Sequence, residues 1–193
     1  MFNNSSVFAA FLLGAALAHP ALAGTVADKA AEIETLMAVP DSKAALDAAN
    51  TLLATVWDSS AEVGIHQTVL VTEPAAGFGI YNPRANDKYK VGEPIMIYAE
   101  PFGFGYGTAG EGLYSIGFAV DLKVLTESGE VLGEMLDLAN LELTSRYQNR
   151  EFQANLTYTL DGVPPGRYVL ETTLRDKNSA KVGTFQNLVE FVE

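Results

Sequence analysis

From Tyr114 to Val124 the chain alternates without a break. Tyr114, Ile116, Phe118, Val120, Leu122 and Val124 fall on one face, and Ser115, Gly117, Ala119, Asp121 and Lys123 on the other. A period of two over that length predicts a β-strand with one buried face, because successive side chains of an extended chain point to opposite sides. The constraint on the fold is strong: a strand needs neighbours, and an apolar face needs a second layer to cover it. Glu127-Ser128-Gly129-Glu130 then turns the chain into Val131 to Leu138, which makes a hairpin.

The same period recurs elsewhere. Thr68 to Thr72 reads as a first strand, and Ile95, Ile97 and Ala99 alternate with Met96, Tyr98 and Glu100. Phe152, Ala154, Leu156, Tyr158 and Leu160 alternate with Gln153, Asn155, Thr157 and Thr159. Tyr168, Leu170, Thr172 and Leu174 follow, and a last strand runs from Gly183 to Val192. Its apolar set changes parity near Gln186 to Leu188, which predicts a bulge. About seven short strands, each with one apolar face, predict a mainly β chain folded as an antiparallel two-sheet sandwich. Strands of a parallel α/β sheet, buried on both faces, would be continuously apolar.

Ahead of the sandwich the period is helical. Val26, Ala30, Ile33 and Met37 form one stripe, and Leu46, Ala49, Leu53 and Val56 a second, reinforced by Leu52 and Trp57. Pro40 ends the first helix, and Asp41 or Ser42 caps the next, giving an N-terminal helical hairpin over residues 24–60 before a sandwich over residues 61–193. The stripes serve either to pack the hairpin or as a partner-binding or dimerisation arm. Residues 1–23 have the form of a signal peptide: an apolar run from Val7 to Ala18, then Pro20 and an Ala21-Leu22-Ala23 end. The run is too short for the ~20 residues that span a bilayer. Its n-region lacks Lys and Arg, so an amphipathic N-terminal helix is the competing reading. The leader predicts a periplasmic or secreted protein with no stable membrane insertion after cleavage.

Composition excludes several classes. The formal charge of −12, with 24 Asp and Glu against 12 Lys and Arg, repels phosphate backbones, so no nucleic-acid partner is expected. With no cysteine there is no disulfide, thiolate nucleophile or Cys-ligated metal, and the expectation is no cofactor and no metal. His66 is the one imidazole downstream of the leader, and neither a His-Glu-x-x-His nor a Gly-x-Ser-x-Gly motif is present. No catalytic residue is therefore assigned. Among so many acids a carboxylate pair suited to polysaccharide hydrolysis stays open.

Pro164-Pro165-Gly166-Arg167-Tyr168-Val169-Leu170, followed by alternation to Asp176, resembles the penultimate strand of immunoglobulin-like bacterial domains. The turn-and-strand entry Gly92-Glu93-Pro94-Ile95-Met96-Ile97 is similar to that of exported bacterial sandwich domains. The resemblance implies an immunoglobulin-like fold and gives Tyr168 the structural place of a tyrosine corner, its ring buried and its hydroxyl reaching backbone. Leu170 stands where antibody domains have their second Cys, and Trp57 lies in the helical part, so the core Trp of those domains is missing. Such motifs imply a fold and no particular activity.

Two loops are candidates for ligand binding. Pro101 to Gly112 places Phe102, Phe104 and Tyr106 among glycines, either as a mobile aromatic grip for sugars or peptides or as a plug over an open sandwich end. Thr144 to Arg150 is locally basic: Arg146 and Arg150 flank Tyr147, a set suited to a carboxylate or acidic sugar, or to ordinary ion pairs. Asp176-Lys177-Asn178-Ser179 reads as a polar hairpin turn. The function these features predict is an exported, non-catalytic binding or assembly module of the bacterial envelope or exterior, with a protein or polysaccharide partner. A carboxylate-dependent hydrolase and an oligomerising spacer are the alternatives.

Overall fold

The computed structural model describes residues 21–39 and 42–193. Most of the expected leader, and the Pro40 stop and Asp41 cap, lie outside the described residues; Ala21–Ala23 form the start of a helix. The described chain has helices α1 (Ala21–Met37) and α2 (Ser42–Asp58). Nine strands follow: β1 (Gly64–Val71), β2 (Lys88–Lys90), β3 (Ile95–Phe102), β4 (Gly107–Thr108), β5 (Tyr114–Thr126), β6 (Val131–Ser145), β7 (Ala154–Tyr158), β8 (Gly166–Asp176) and β9 (Val182–Val192). The chain divides into two compact units, one up to Thr55 and one from Val56 to Glu193. No described helix is long and apolar enough to cross a membrane.

In the first unit the buried side of α2 runs through Ala45 and Ala48, while Leu46 and Leu53 are exposed. The large apolar stripe seen in the sequence thus faces outward, and the small residues are the covered ones. Met37 and Val39 are exposed as well.

The second unit is a two-sheet sandwich. One sheet has the order β1-β3-β7; in the other, β2, β9, β8 and β5 follow in turn. β6 lines the far edge of β5, and β4 pairs with the first two residues of β5 on the β8 side. Among the described strands every pairing is antiparallel except β2 with β9. Ile95, Ile97, Ala99, Ala154, Leu156 and Tyr158 of the smaller sheet meet Ile116, Phe118, Val120, Leu122, Leu170, Leu174, Phe185, Val189 and Phe191 of the larger in one core. Each large apolar side chain buried there contributes about 1.5–3 kcal/mol.

Several sequence expectations change. β9 has no bulge: its pairing with β8 is continuous, and Gly183, Phe185, Asn187, Val189 and Phe191 all take the inner face. Asn187 replaces an apolar residue there and accepts a hydrogen bond from the Thr68 hydroxyl at 3.1 Å, which removes the apparent change of parity. Register shifts occur instead in β1, between Ile65 and Thr68, and between β5 and β6. β6 runs on to Ser145, so Thr144 and Ser145 belong to a strand and not to the basic loop. β7 is shorter than expected, since the chain before Ala154 and after Tyr158 leaves the ladder. β3 and β5 are buried on both faces. Ala119 and Asp121 lie covered in the middle of the larger sheet, where Arg175 reaches over Asp121 with bonds of 2.8 and 3.0 Å. Outside β3, Tyr98 packs with Val71, Ala75 and Tyr81, and the Ala75 backbone is clamped by Asn155 at 2.9 and 3.1 Å.

Candidate functional site

Both candidate loops sit at one end of the sandwich and touch. The glycine-rich stretch leaves β3 at Phe102, and Gly103 takes a left-handed φ of 75° that turns the chain inward. Phe104 then enters the core with no exposed surface. Its ring meets Trp57 edge-on at 5.1 Å, Tyr106 at 5.6 Å, Phe118 at 5.7 Å and Phe152 at 6.0 Å. Rings at these distances and inclinations add favourable quadrupole contacts to the area they bury. Phe104 fills the sandwich end and presents no surface to a ligand.

The backbone around Phe104 is held on several sides. The Trp57 indole N–H donates to the Phe104 carbonyl at 2.7 Å, and Lys181 Nζ donates to the Gly103 carbonyl at 2.7 Å. The Gly105 N–H donates to Asp176 Oδ2 at 2.6 Å. Asp176, itself buried, also accepts from the Asn178 N–H and the Ser179 hydroxyl. Asn178 Nδ2 donates to the Ser115 carbonyl at 3.1 Å. The polar turn between β8 and β9 is therefore a bracket for the glycine-rich loop. A Cβ on Gly107 would run into the Asn178 side chain and the Ser115 hydroxyl, so glycine is required for this close approach. Trp57, on the last turn of α2, belongs to the sandwich unit and packs against its core.

Tyr106 joins the two loops. Its hydroxyl donates to the Asn149 carbonyl at 2.8 Å, and burial pushes its pKa up to about 12, with Arg150 pulling the other way and Asp58 adding to the rise. The second loop continues to Phe152, which packs on Phe104 and Phe118. Arg150 is half-buried, whereas Arg146 is exposed and Tyr147 stands 75% exposed. Phe102 is 44% exposed and lies over Gly64, where a Cβ would run into its ring. The structure thus sorts the six candidate residues into buried Phe104, half-buried Tyr106 and Arg150, and an exposed set of Phe102, Arg146 and Tyr147.

Tyr168 reaches backbone with its hydroxyl, but its ring is half-buried and not buried as expected. Its hydroxyl donates to the Pro164 carbonyl at 3.0 Å, and its half-buried ring packs on Phe191 at 5.8 Å. Trp57, Asp176, Asn178 and Lys181 also belong to the loop end of the molecule. Only Asp176 and Asn178 leave a trace in the sequence, as members of the polar turn, since contacts between residues so far apart in the chain leave no local periodicity.

Carboxylates converge at one place outside the loops. Arg175 bonds both Asp121 and Asp137, the latter at 2.5 Å. Its guanidinium holds the Asp121 carboxyl below the usual carboxylate range, helped by the Asp137 N–H and opposed by burial. Asp121 is thus held as an ion-paired carboxylate, the opposite of a carboxylic acid kept protonated for proton donation. No cluster of metal-ligating side chains occurs among the described residues. A scan against protein-family models matches none of them, and no curated protein matches the chain.

Proposed function

We propose that this chain is an exported, non-catalytic binding or assembly module of the bacterial envelope or exterior, built on an immunoglobulin-like sandwich. The observation that carries the reading is the joined pair of loops at one sandwich end. A rigid interior of Phe104, Tyr106 and Phe152 supports an exposed rim on which Arg146 and Tyr147 stand next to each other. An aromatic face beside a forked cation suits a sugar or peptide carboxylate. A platform tied by Trp57, Asp176 and Lys181 loses little freedom on binding, which favours affinity. The partner in this reading is an envelope protein or polysaccharide. Co-sedimentation of the full chain with insoluble envelope material tests it. The wild type is expected in the pellet and an Arg146→Ala/Tyr147→Ala variant in the supernatant, at unchanged melting temperature. Equal partition of the two overturns the proposal.

An oligomerising spacer is the second reading, favoured by the outward stripe of Met37, Leu46 and Leu53. It requires a dimer in sedimentation that disappears when residues 24–55 are removed.

A further inference from the structure

The smaller sheet has three strands and the larger six, and the long outer strand β6 extends the larger sheet on the side away from β9. β7 is the outer strand of the smaller sheet and β6 of the larger, and among the described strands each is paired along one edge. The inner face of the larger sheet is otherwise well covered: Ile116, Phe118, Val120, Leu122, Leu170, Leu174 and Val189 are at most 2% exposed. On β6 the residues directed at the same core, Met135, Ala139, Leu141 and Leu143, touch it but stay half-buried. Their cover stops short because the smaller sheet ends at β7.

Two cavities mark the gap. One of about 580 Å³ is bordered by Leu141 and Leu143 of β6 and by Phe152, Gln153 and Asn155 at the start of β7. The other, of about 620 Å³, is bordered by Leu132 and Met135 of β6 and by Thr159 to Pro164 just past the end of β7. They open at the two ends of one free strand edge. Along such an edge alternate residues turn their N–H and C=O groups outward, and these are satisfied by another extended chain. Acids lie at both linings, Glu151 at the first cavity and Asp161 at the second, neither lining contains Lys, Arg or His, and Glu142 of the first is already paired with Lys177 at 2.7 Å. A second copy of this chain, at −12, brings the wrong charge.

We infer that this side accepts an extended segment of a partner protein, which pairs with the free edge of β7. Its alternate apolar side chains cover Met135, Leu141 and Leu143, and its basic ends meet Glu151 and Asp161. The surface is separate from the Tyr147 rim and does not depend on it.

Two fluorescent peptides of about nine residues, β7 plus its flanks at ~3.3 Å per residue, provide the test. Both alternate valine and threonine; one ends in lysines and the other in glutamates. With the full chain, the lysine peptide is expected to bind more tightly and to slow amide exchange at Asn155 to Tyr158. Glu151→Lys/Asp161→Lys, two exposed positions, is expected to weaken it by about fivefold, the loss of two exposed ion pairs, without change in melting temperature. Tyr147→Ala is expected to leave its affinity unchanged, so failure here is distinguishable from failure of the loop rim. Equal binding of the two peptides, binding of neither, or unchanged exchange at β7 overturns the inference. So does a peptide-independent dimer that protects β7, which would make a second copy the occupant.

Discussion

Phe104 has no exposed surface and four aromatic neighbours, so truncating its ring leaves a hole that the bracketed backbone cannot close. Phe104→Ala is expected to cost about 3–5 kcal/mol, read as a lower urea midpoint at unchanged slope. Tyr89 makes the opposite case. It is 1% exposed and its hydroxyl has no partner among the described residues, so the ring is stabilising and the oxygen is not. Tyr89→Phe is therefore expected to be neutral or to gain up to about 1 kcal/mol. Tyr98, equally buried, donates to Glu100 and accepts from the Gly79 N–H, and there the same change is expected to destabilise. Asp121 sets a pH dependence. Its folded pKa is depressed, chiefly by the Arg175 hydrogen bonds, so its contribution is complete above the unfolded value of about 4 and is lost as pH falls through the folded value. The stability gap between wild type and Asp121→Asn is expected to be widest near neutrality and to close in acid, as a melting series over pH shows.

At the scale of elements, close approach explains what alternation alone does not. Gly183, the second residue of β9, would place a Cβ 2.5 Å from the Val63 carbonyl oxygen, a backbone atom. Gly183→Ala is expected to cost about 1–3 kcal/mol by forcing β9 away from the chain leading into β1, measured by thermal unfolding. The strand cores of β3, β5 and β8 were legible because their inner faces follow the period of two, and the turn at Asp176 to Ser179 because its residues are turn formers. The Pro-x-Gly-x-Tyr context pointed to the hydroxyl contact of Tyr168 with backbone, though not to its half-exposed ring. The burial of Tyr98 and Glu100 was not, since it comes from a distant segment around Ala75 and Tyr81 folding over the outside of β3. Asn187 misled for a related reason. A polar residue on an inner face breaks the apolar pattern while leaving the backbone regular, and its partner Thr68 is remote in sequence. The two short strands β2 and β4 carry too few residues to show any period.

For the whole molecule, the helical period read over residues 24–60 runs past the division between the compact units, which falls between Thr55 and Val56. The difference is Trp57, whose helical spacing disguised a residue of the β unit. A chain starting at Val56 is expected to keep the sandwich melting transition of the full protein. One starting at Glu62, without the indole, is expected to melt several degrees lower, and differential scanning calorimetry of the two separates them. The same residue gives the protein an internal optical gauge, because the chain has one tryptophan and its N–H is spent on the Phe104 carbonyl. Its emission therefore reads the state of one loop, with no contribution from indoles elsewhere. A ligand that loosens or tightens the sandwich end registers in the spectrum, and one that settles on the open side at β7 leaves it still.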